Sequence, residues 1–567
     1  MSHNTCAPSS LGSSNVIERD PTLRLQYLKA AYAAVPRLLA SVDRNAFGPS
    51  YGCCDRQYWH YRTAAFPSEM YQEAALPLAM LYTQRLPGNR WYGEARVAES
   101  AVAAMRFSAQ SAHADGSCDD YYPYERALGA AVFSLQAQTA AYRLLGLDDP
   151  DLIRFFGRRA EWIAANEESG RLSNHHALAA SALWRTWKLT GRRELREAAL
   201  QRVEQVLRWQ SSEGWFDEYG GADPGYQSVT IDVMAQLQRE ANLPQLDEPL
   251  RRAIAFARCF LHPDDGYGGE YGSRGTRHCY PHGWELLTAN NPQAGELADA
   301  ALRSLASGSV ASFDDDRMYV HRLASWIEAY RDWSPTRPDQ VHVATTAAEL
   351  HDYPQAGLFV LDDAERRVIV SSARGGVFQA FRRVNDEVST HIDVGLVVEL
   401  TDGRLAVSQT HDAGQKVDRR DPTTNSPLDL ALTRPLSWVR FERVSPLKQA
   451  VLHLGMITVG RWYRTFVRKL LQRRTISGGG ASPIQWTRRL QVTHGLRGES
   501  RFVVTDEIVL TDPRLQVKRL AYASDLQAAY TAAANVYQTA SLQPWSDLPH
   551  YVETLNRERR IVVVREL

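Results

Sequence analysis

Apolar side chains recur at helical spacing from about residue 22 to 334, and from about 340 to 567 they mostly alternate with polar ones. The pattern predicts helices first and strands afterwards. The change falls at Trp333-Ser-Pro-Thr-Arg-Pro338, a proline-containing connector. In the helical part, apolar runs open just after glycine-bearing turns, near Ser68, Pro123, Asn174, Pro224 and Pro281. Return helices are predicted over Arg192 to Gln210 and Asp247 to Leu261. The segment Gly214-Trp-Phe-Asp-Glu-Tyr-Gly220 comes back 52 residues later as Gly266-Tyr-Gly-Gly-Glu-Tyr-Gly272. A unit of roughly 50 residues holding two helices is a helical-hairpin repeat. Ala177 to Trp184 is rich in alanine and apolar all round, which predicts an inner helix buried on most sides. That favours a closed α/α toroid over an open solenoid.

Strands are predicted at Gly357–Leu361, Arg367–Ser371, Val394–Leu400 and Arg501–Asp506, with Asp402-Gly403 as a hairpin turn. Many such segments predict an antiparallel β-sandwich. The expected fold class is therefore α+β and multidomain. A flexible N-terminus spans 1–20, an α/α toroid 21–334 and a β-sandwich 335–567.

Composition narrows the partner. Lys+Arg and Asp+Glu are both 65, so the chain lacks the basic excess of a nucleic-acid binder. Attraction for a polyanion must be local. Arg461 to Thr475 holds six basic residues and no acid, and reads equally as a polyanion-facing strand, a surface helix or a solvated face. The 14 Trp and 25 Tyr suit sugar rings and helix packing alike. Cysteines at 6, 53, 54, 118, 259 and 279 have no zinc-ligand spacing. Met1 to Asp20 has no apolar signal-peptide core, and no run is long enough to span a membrane. A reduced cytoplasm is the expected location, with non-Sec export left open.

In a toroid of this repeat the glycine-rich turns share one end and open the inner helices. Backbone N–H groups and positive helix-dipole ends gather there and suit an anionic ligand. Ser173-Asn174-His175-His176 begins one inner helix, with Ser173 or Asn174 as cap and Gly191 as stop. The dipole keeps His175 neutral and available as a base; the alternative is a capping Asn followed by surface histidines. Asp223-Pro-Gly-Tyr226 begins the next, placing a phenol in the first turn; a packing tyrosine is the alternative. Asn174, Tyr226 and His278 are spaced 52 residues apart. Tyr121-Tyr-Pro-Tyr-Glu-Arg126 opens another inner helix. Arg126 can grip a substrate carboxylate or pair with Glu125 or Asp120. Removing a proton α to a uronate carboxylate needs charge neutralisation, a base and an acid, which these groups supply. Asp217, Glu218, Asp223 and Glu270 keep a hydrolase open.

With Asn174-His175, Glu218-Tyr-Gly-Gly-Ala-Asp-Pro-Gly-Tyr226, Ser389-Thr-His-Ile-Asp393 and Asp402 to Ser408, the chain resembles the heparinase II/III-like polysaccharide lyases and the related oligoalginate lyases over about residues 120 to 510. The resemblance implies a toroid followed by a sandwich, and β-elimination on an acidic polysaccharide or oligosaccharide. It gives Asn174 to carboxylate neutralisation, His175 to base and Tyr226 to acid, or to both proton transfers. Tyr124, Arg126, Glu218, Arg277 and His278 would bind substrate. His391 matches the second His of the family's H-G-H-A-D-like motif, as a catalytic group, a metal ligand or a plain strand residue. Ser389 stands where the family has its first His. No catalytic cofactor is implied. A structural divalent metal in the sandwich is, with His391, His411, Asp412 and His453 as candidates. A glycoside hydrolase, a uronyl C5-epimerase and a non-catalytic glycan-binding protein remain alternatives.

Overall fold

The computed structural model describes residues 16–168, 170–309, 318–338, 348–385, 387–423, 426–439, 445–463, 466–467, 480–494, 500–524 and 544–567. The helical part runs α1 (Leu25–Ser41), α2 (Arg56–Trp59), α3 (Ala75–Thr83), α4 (Ala95–Ser111), α5 (Leu128–Leu144), α6 (Pro150–Ala165) and α7 (Ser173–Thr190). It continues with α8 (Arg193–Arg208), α9 (Pro224–Ala241), α10 (Asp247–Arg258), α11 (His282–Leu287), α12 (Pro292–Ser307) and α13 (Tyr319–Asp332).

Helices α3, α5, α7, α9, α11 and α13 touch in that order, and α13 returns to α3. The inner ring is closed. Helices α1, α4, α6, α8, α10 and α12 pack outside it. Sequence separates the two layers. On α10 only Leu250, Ala253, Ile254, Phe256 and Ala257 are buried, one stripe facing inward. On α7 nearly every residue from Ser173 to Thr186 is buried, which its small alanines permit. The repeat is visible in the turns: Gln210 bridges Phe216 and, 51 residues on, Leu261 bridges Tyr267. Gly191 stops α7 in the left-handed region, as predicted.

Two strands fasten the ring. Strand β1 (Val16–Glu18) pairs antiparallel with β2 (Thr336–Pro338), just after α13. Of the expected flexible stretch 1–20, residues 1–15 lie outside the described residues.

Strands β3 (Glu349–Tyr353), β4 (Leu358–Asp362), β5 (Arg366–Ser371), β6 (Val377–Val384) and β7 (Glu387–Asp393) form a five-stranded antiparallel meander. Its central strands, β4, β5 and the first half of β6, are buried on both faces. Leu358, Val360, Ile369 and Phe381 join the toroid core. Phe359, Leu361, Val368, Val370, Phe378 and Ala380 face a second, larger sheet. That explains the unbroken apolar run Leu358–Leu361 where alternation would mark a solvated face.

The larger sheet contains β8 (Leu396–Leu400), β9 (Leu405–Val407), β10 (Asp418–Arg419), β11 (Leu428–Val439), β12 (Ala481–His494), β13 (Ser500–Leu510), β14 (Val517–Ala523), β15 (Trp545–Asp547) and β16 (Arg560–Glu566). Leu430, Leu490 and Phe502 pack on the smaller sheet. Further along the same strands, Leu432, Trp486 and Ile508 pack instead on Val398 of β8, Leu520 of β14 and Leu555. The antiparallel strands expected from sequence are present, but the larger sheet curls as a half-barrel around its own core. At the junction Arg488 is fully buried between Asp393 and Asp506, and Arg565 joins both carboxylates. Buried charges persist only when matched in this way. Helix α14 (Pro446–Gly455) lies outside both cores, and α15 (Pro549–Glu558) closes the curl.

Candidate functional site

The inner helices run in one direction, so the starts of α5, α7, α9 and α11 share one mouth. Asp223 caps α9, its Oδ1 accepting from the Tyr226 N–H at 3.0 Å, and Pro224 occupies the first turn. Asp223 also accepts from the Arg274 backbone N–H at 2.8 Å and from the Thr276 hydroxyl. Tyr226 is thereby fixed beside the next hairpin. It lines a small cavity with Gly225, Thr276, His278, Tyr280 and Met318. Burial and the nearby Arg322 charge push the His278 imidazole well below its usual range, so it is neutral there.

Asn174 and Glu218 form a buried pair. The Asn174 Nδ2 donates to Glu218 Oε1 at 3.0 Å, and its backbone N–H points to Oε2 at 3.4 Å. Burial raises the Glu218 carboxyl well above the usual range. Asn174 is fully buried, and its Oδ1 is left without a hydrogen-bond partner among the described residues. Neither Ser173 nor Asn174 caps α7. Leu172 holds that position, because the Ser173 hydroxyl and N–H are both spent on the Asp217 carbonyl of the adjoining hairpin.

His175 is half-buried. Its Nδ1 lies 3.1 Å from Glu168 Oε2, and its ring meets Phe133 edge-on at 5.9 Å. Phe133 in turn meets His321, and His321 meets Tyr280 of the cavity wall. The chain of rings places His175 on the inside of the mouth. His176 turns the other way, against Trp209 and Arg202, and burial pushes it down to about 4.

The remaining expected residues are dispersed. Arg126 pairs with Asp115 at 2.5 Å, and Tyr124 stacks on His113 at 5.5 Å. Arg277 pairs with Glu270 at 2.5 Å, next to Gln379 of β6. Tyr124, Arg126 and Tyr219 hold positive φ near +50 to +60°, strain that the surrounding bonds impose at this end of the ring.

His391 is not at the mouth. In the β6–β7 ladder it lies opposite Ala380. Ala380 faces the larger sheet, whereas its neighbours Gln379 and Phe381 face the toroid. Alternation along β7 therefore sends His391, and Ser389 with it, away from the mouth. His411 comes from the sheets to the mouth instead. A Cβ on Gly221 would stand 2.7 Å from its Nε2. Arg374 of the same face donates from Nε to the Gly272 carbonyl at 2.8 Å. Burial and the Arg374 charge push His411 down to about 4. The candidate metal ligands are thus not gathered at one place: His411 and Asp412 are neighbours in the chain, whereas His391 faces away and His453 lies against Phe66. No cluster of three His, Cys, Asp or Glu side chains suited to a metal occurs among the described residues.

Sequence reasoning missed Glu168, Thr276, Tyr280 and His411 as partners of this mouth. It also missed His282, which lies 3.0 Å from Asp232 and 2.9 Å from Asp332 and is raised to about 9, against its burial, by these carboxylates and Glu328. These contacts cross between helices and leave no local motif.

No family model matches the chain, and no curated protein matches it in sequence. Among solved structures it is similar to a chondroitin AC lyase of Streptomyces coelicolor A3 determined with chondroitin sulphate. The TM-score is 0.51 at 10% identity, over 88% of this chain and 68% of that one. Heparinase III aligns with TM-score 0.47 at 13% identity, over 95% of this chain and 76% of that one. An unsaturated glucuronyl hydrolase of Streptococcus agalactiae aligns with TM-score 0.36 at 11% identity, over 58% of this chain and 98% of that one. The likeness to the first is one of fold.

Proposed function

We propose that the protein is a lyase that cleaves a uronate-containing polysaccharide or oligosaccharide by β-elimination. One observation carries the reading: among the described residues, those that line the cavity at the mouth supply a phenol, an imidazole and a hydroxyl, and no carboxylate. Three of the nearby carboxylates among the described residues are committed elsewhere. Glu218 holds Asn174, Asp223 caps α9, and Glu270 pairs with Arg277. A hydrolase needs two carboxyl groups free to flank the bond.

In the proposed reaction His175 takes the C5 proton through Nε2, with Nδ1 held by Glu168. Tyr226 protonates the 4-oxygen as the C4–O bond breaks and the C4=C5 bond forms. Both are general acid–base steps. Asn174 acts as a positioning residue that fixes the hairpin of Glu218. Arg274, whose guanidinium lies 4.1 Å from the Tyr219 ring centre on that hairpin, offsets the uronate charge. His411 brings an imidazole from the sheets to the same rim. The fold of the chondroitin AC lyase supports the reading as an analogy.

The test is ultraviolet absorbance of an unsaturated uronate after incubation with a panel of uronate polymers. New reducing ends without that absorbance would indicate a hydrolase. Exchange of the C5 hydrogen with deuterated water, chain length unchanged, would indicate an epimerase.

A further inference from the structure

Helix α14 contributes no buried residue to either core. Leu447, Val451 and Leu454 recur at i, i+4 and i+7, and all three point outward, Leu447 at 74% exposure. A short π-helical turn, Met456–Gly460, follows, in which Ile457 and Val459 are exposed, and Trp462 and Tyr463 are exposed beyond it. Seven large apolar side chains thus stand in solvent within 17 consecutive residues. Lone exposed apolar residues are ordinary, but a continuous stripe marks a contact surface.

Charge identifies what the stripe meets. From Pro446 to Thr475 the chain has seven Lys or Arg and not one Asp or Glu, although acids and bases balance over the whole sequence. An apolar stripe with Trp and Tyr, in a stretch of sequence whose formal charges are all positive, is complementary to an anionic lipid surface. A soluble polysaccharide offers no partner for Leu447, Val451 and Leu454. A protein partner or a second copy would be met with charges of both signs at the rim. No helix among the described residues is long and apolar enough to cross a membrane, so the contact would lie in the interface.

We infer that Leu447, Val451, Leu454, Ile457, Val459, Trp462 and Tyr463 form a docking face for an anionic phospholipid bilayer. The face stands beside the mouth. His453 packs on Phe66, with ring centres 6.3 Å apart, and Phe66 lies three residues before the turn Glu69–Ala74 that leads into inner helix α3. Docking would present the mouth to glycans held at the membrane surface. The inference does not depend on the lyase reading.

The test is flotation of the full-length chain with vesicles of phosphatidylcholine, alone or with about one-third phosphatidylglycerol. Wild type should float with the anionic vesicles at least about tenfold more than with the neutral ones, and lose that binding in high salt. The Leu447→Ser/Val451→Ser/Leu454→Ser variant should float at least about tenfold less while keeping its melting profile, because none of the three is buried. Lys448→Ala/Arg461→Ala should weaken binding to anionic vesicles alone. Absence of wild-type flotation, or equal flotation by the serine variant, would overturn the inference. So would a wild-type dimer that the serine variant converts to monomer without any vesicle binding.

Discussion

The His175 ring stands with Nδ1 3.1 Å from a carboxylate oxygen of Glu168. An ionised carboxylate only accepts, so Nδ1 carries a proton, and in the neutral ring Nε2 is then the nitrogen with the lone pair. The ring is also seated against α5, where a Cβ on Gly129 would come within 2.6 Å of Cε1. Gly129→Ala should therefore displace the ring. We expect kcat to fall toward that of His175→Ala, roughly 10²–10⁴-fold, with the melting temperature changing far less than kcat. Steady-state kinetics on a substrate found by the uronate panel would check this. An unchanged kcat would remove His175 from the chemistry.

Tyr226→Phe removes only a hydroxyl from the cavity wall. The expected loss in kcat is again roughly 10²–10⁴-fold, with KM changed little, since the phenol moves a proton and need not anchor the sugar. A rise in KM at constant kcat would reassign Tyr226 to binding.

His391 and His411 should part company. His391→Ala, on the sheet face turned from the toroid, should leave kcat/KM within about threefold, while His411→Ala at the rim should lower it tenfold or more. The reverse ranking would restore the role that the family motif suggested for His391.

Stability should carry an alkaline signature. His282 is raised to about 9 between Asp232, Glu328 and Asp332. The folded state then holds a proton that the unfolded chain releases near pH 6.5. Its contribution is complete below that pH and is lost as pH rises through about 9. Thermal melts from pH 6 to 10 should show this decline. In His282→Asn that part of the decline should flatten, from a starting stability lower by roughly 3–5 kcal/mol because Asp232 loses its charged partner.

Glu218 adds to the same direction, because burial raises its pKa and the folded state again binds the extra proton. The contribution is present at acid pH and fades as pH climbs above the ordinary carboxylate range. Glu218→Gln keeps an acceptor for Asn174 without a charge to desolvate. It should melt at or above the wild-type temperature at pH 8. A large destabilisation there would mean that the pair works as an ion.

What the sequence disclosed and withheld follows from locality. Asp223-Pro-Gly-Tyr226 and Gly191 act within one helical turn, and α9 and α7 start and stop where those residues require. The repeat survives as paired bridges at Phe216 and Tyr267. The start of α5 is misjudged at Pro123, because the loop bonds its backbone to Asp119 and delays the helix to Leu128. The direction of His391 is not legible in the sequence for another reason. It depends on which face of β6 meets the toroid, and period-two alternation cannot say which face is which when both are buried. The Asp232–His282–Asp332 bridge joins three helices across 100 residues and has no signature in any one of them.

The contact of α13 with α3 also governs how the molecule can come apart. An open array of hairpins has end units that fray, and its stability is close to a sum over neighbours. A ring has no end unit. Each inner helix is held on both sides, and the β1–β2 ladder joins the stretch that enters the ring to the stretch that leaves it. Loss of one hairpin would strip two neighbours at once, so the toroid should melt as a single cooperative body. Because its entry and exit lie side by side, the order in which the hairpins follow along the chain becomes a matter of history more than of mechanics: a chain opened at another surface turn and rejoined across β1 and β2 could close the same circle.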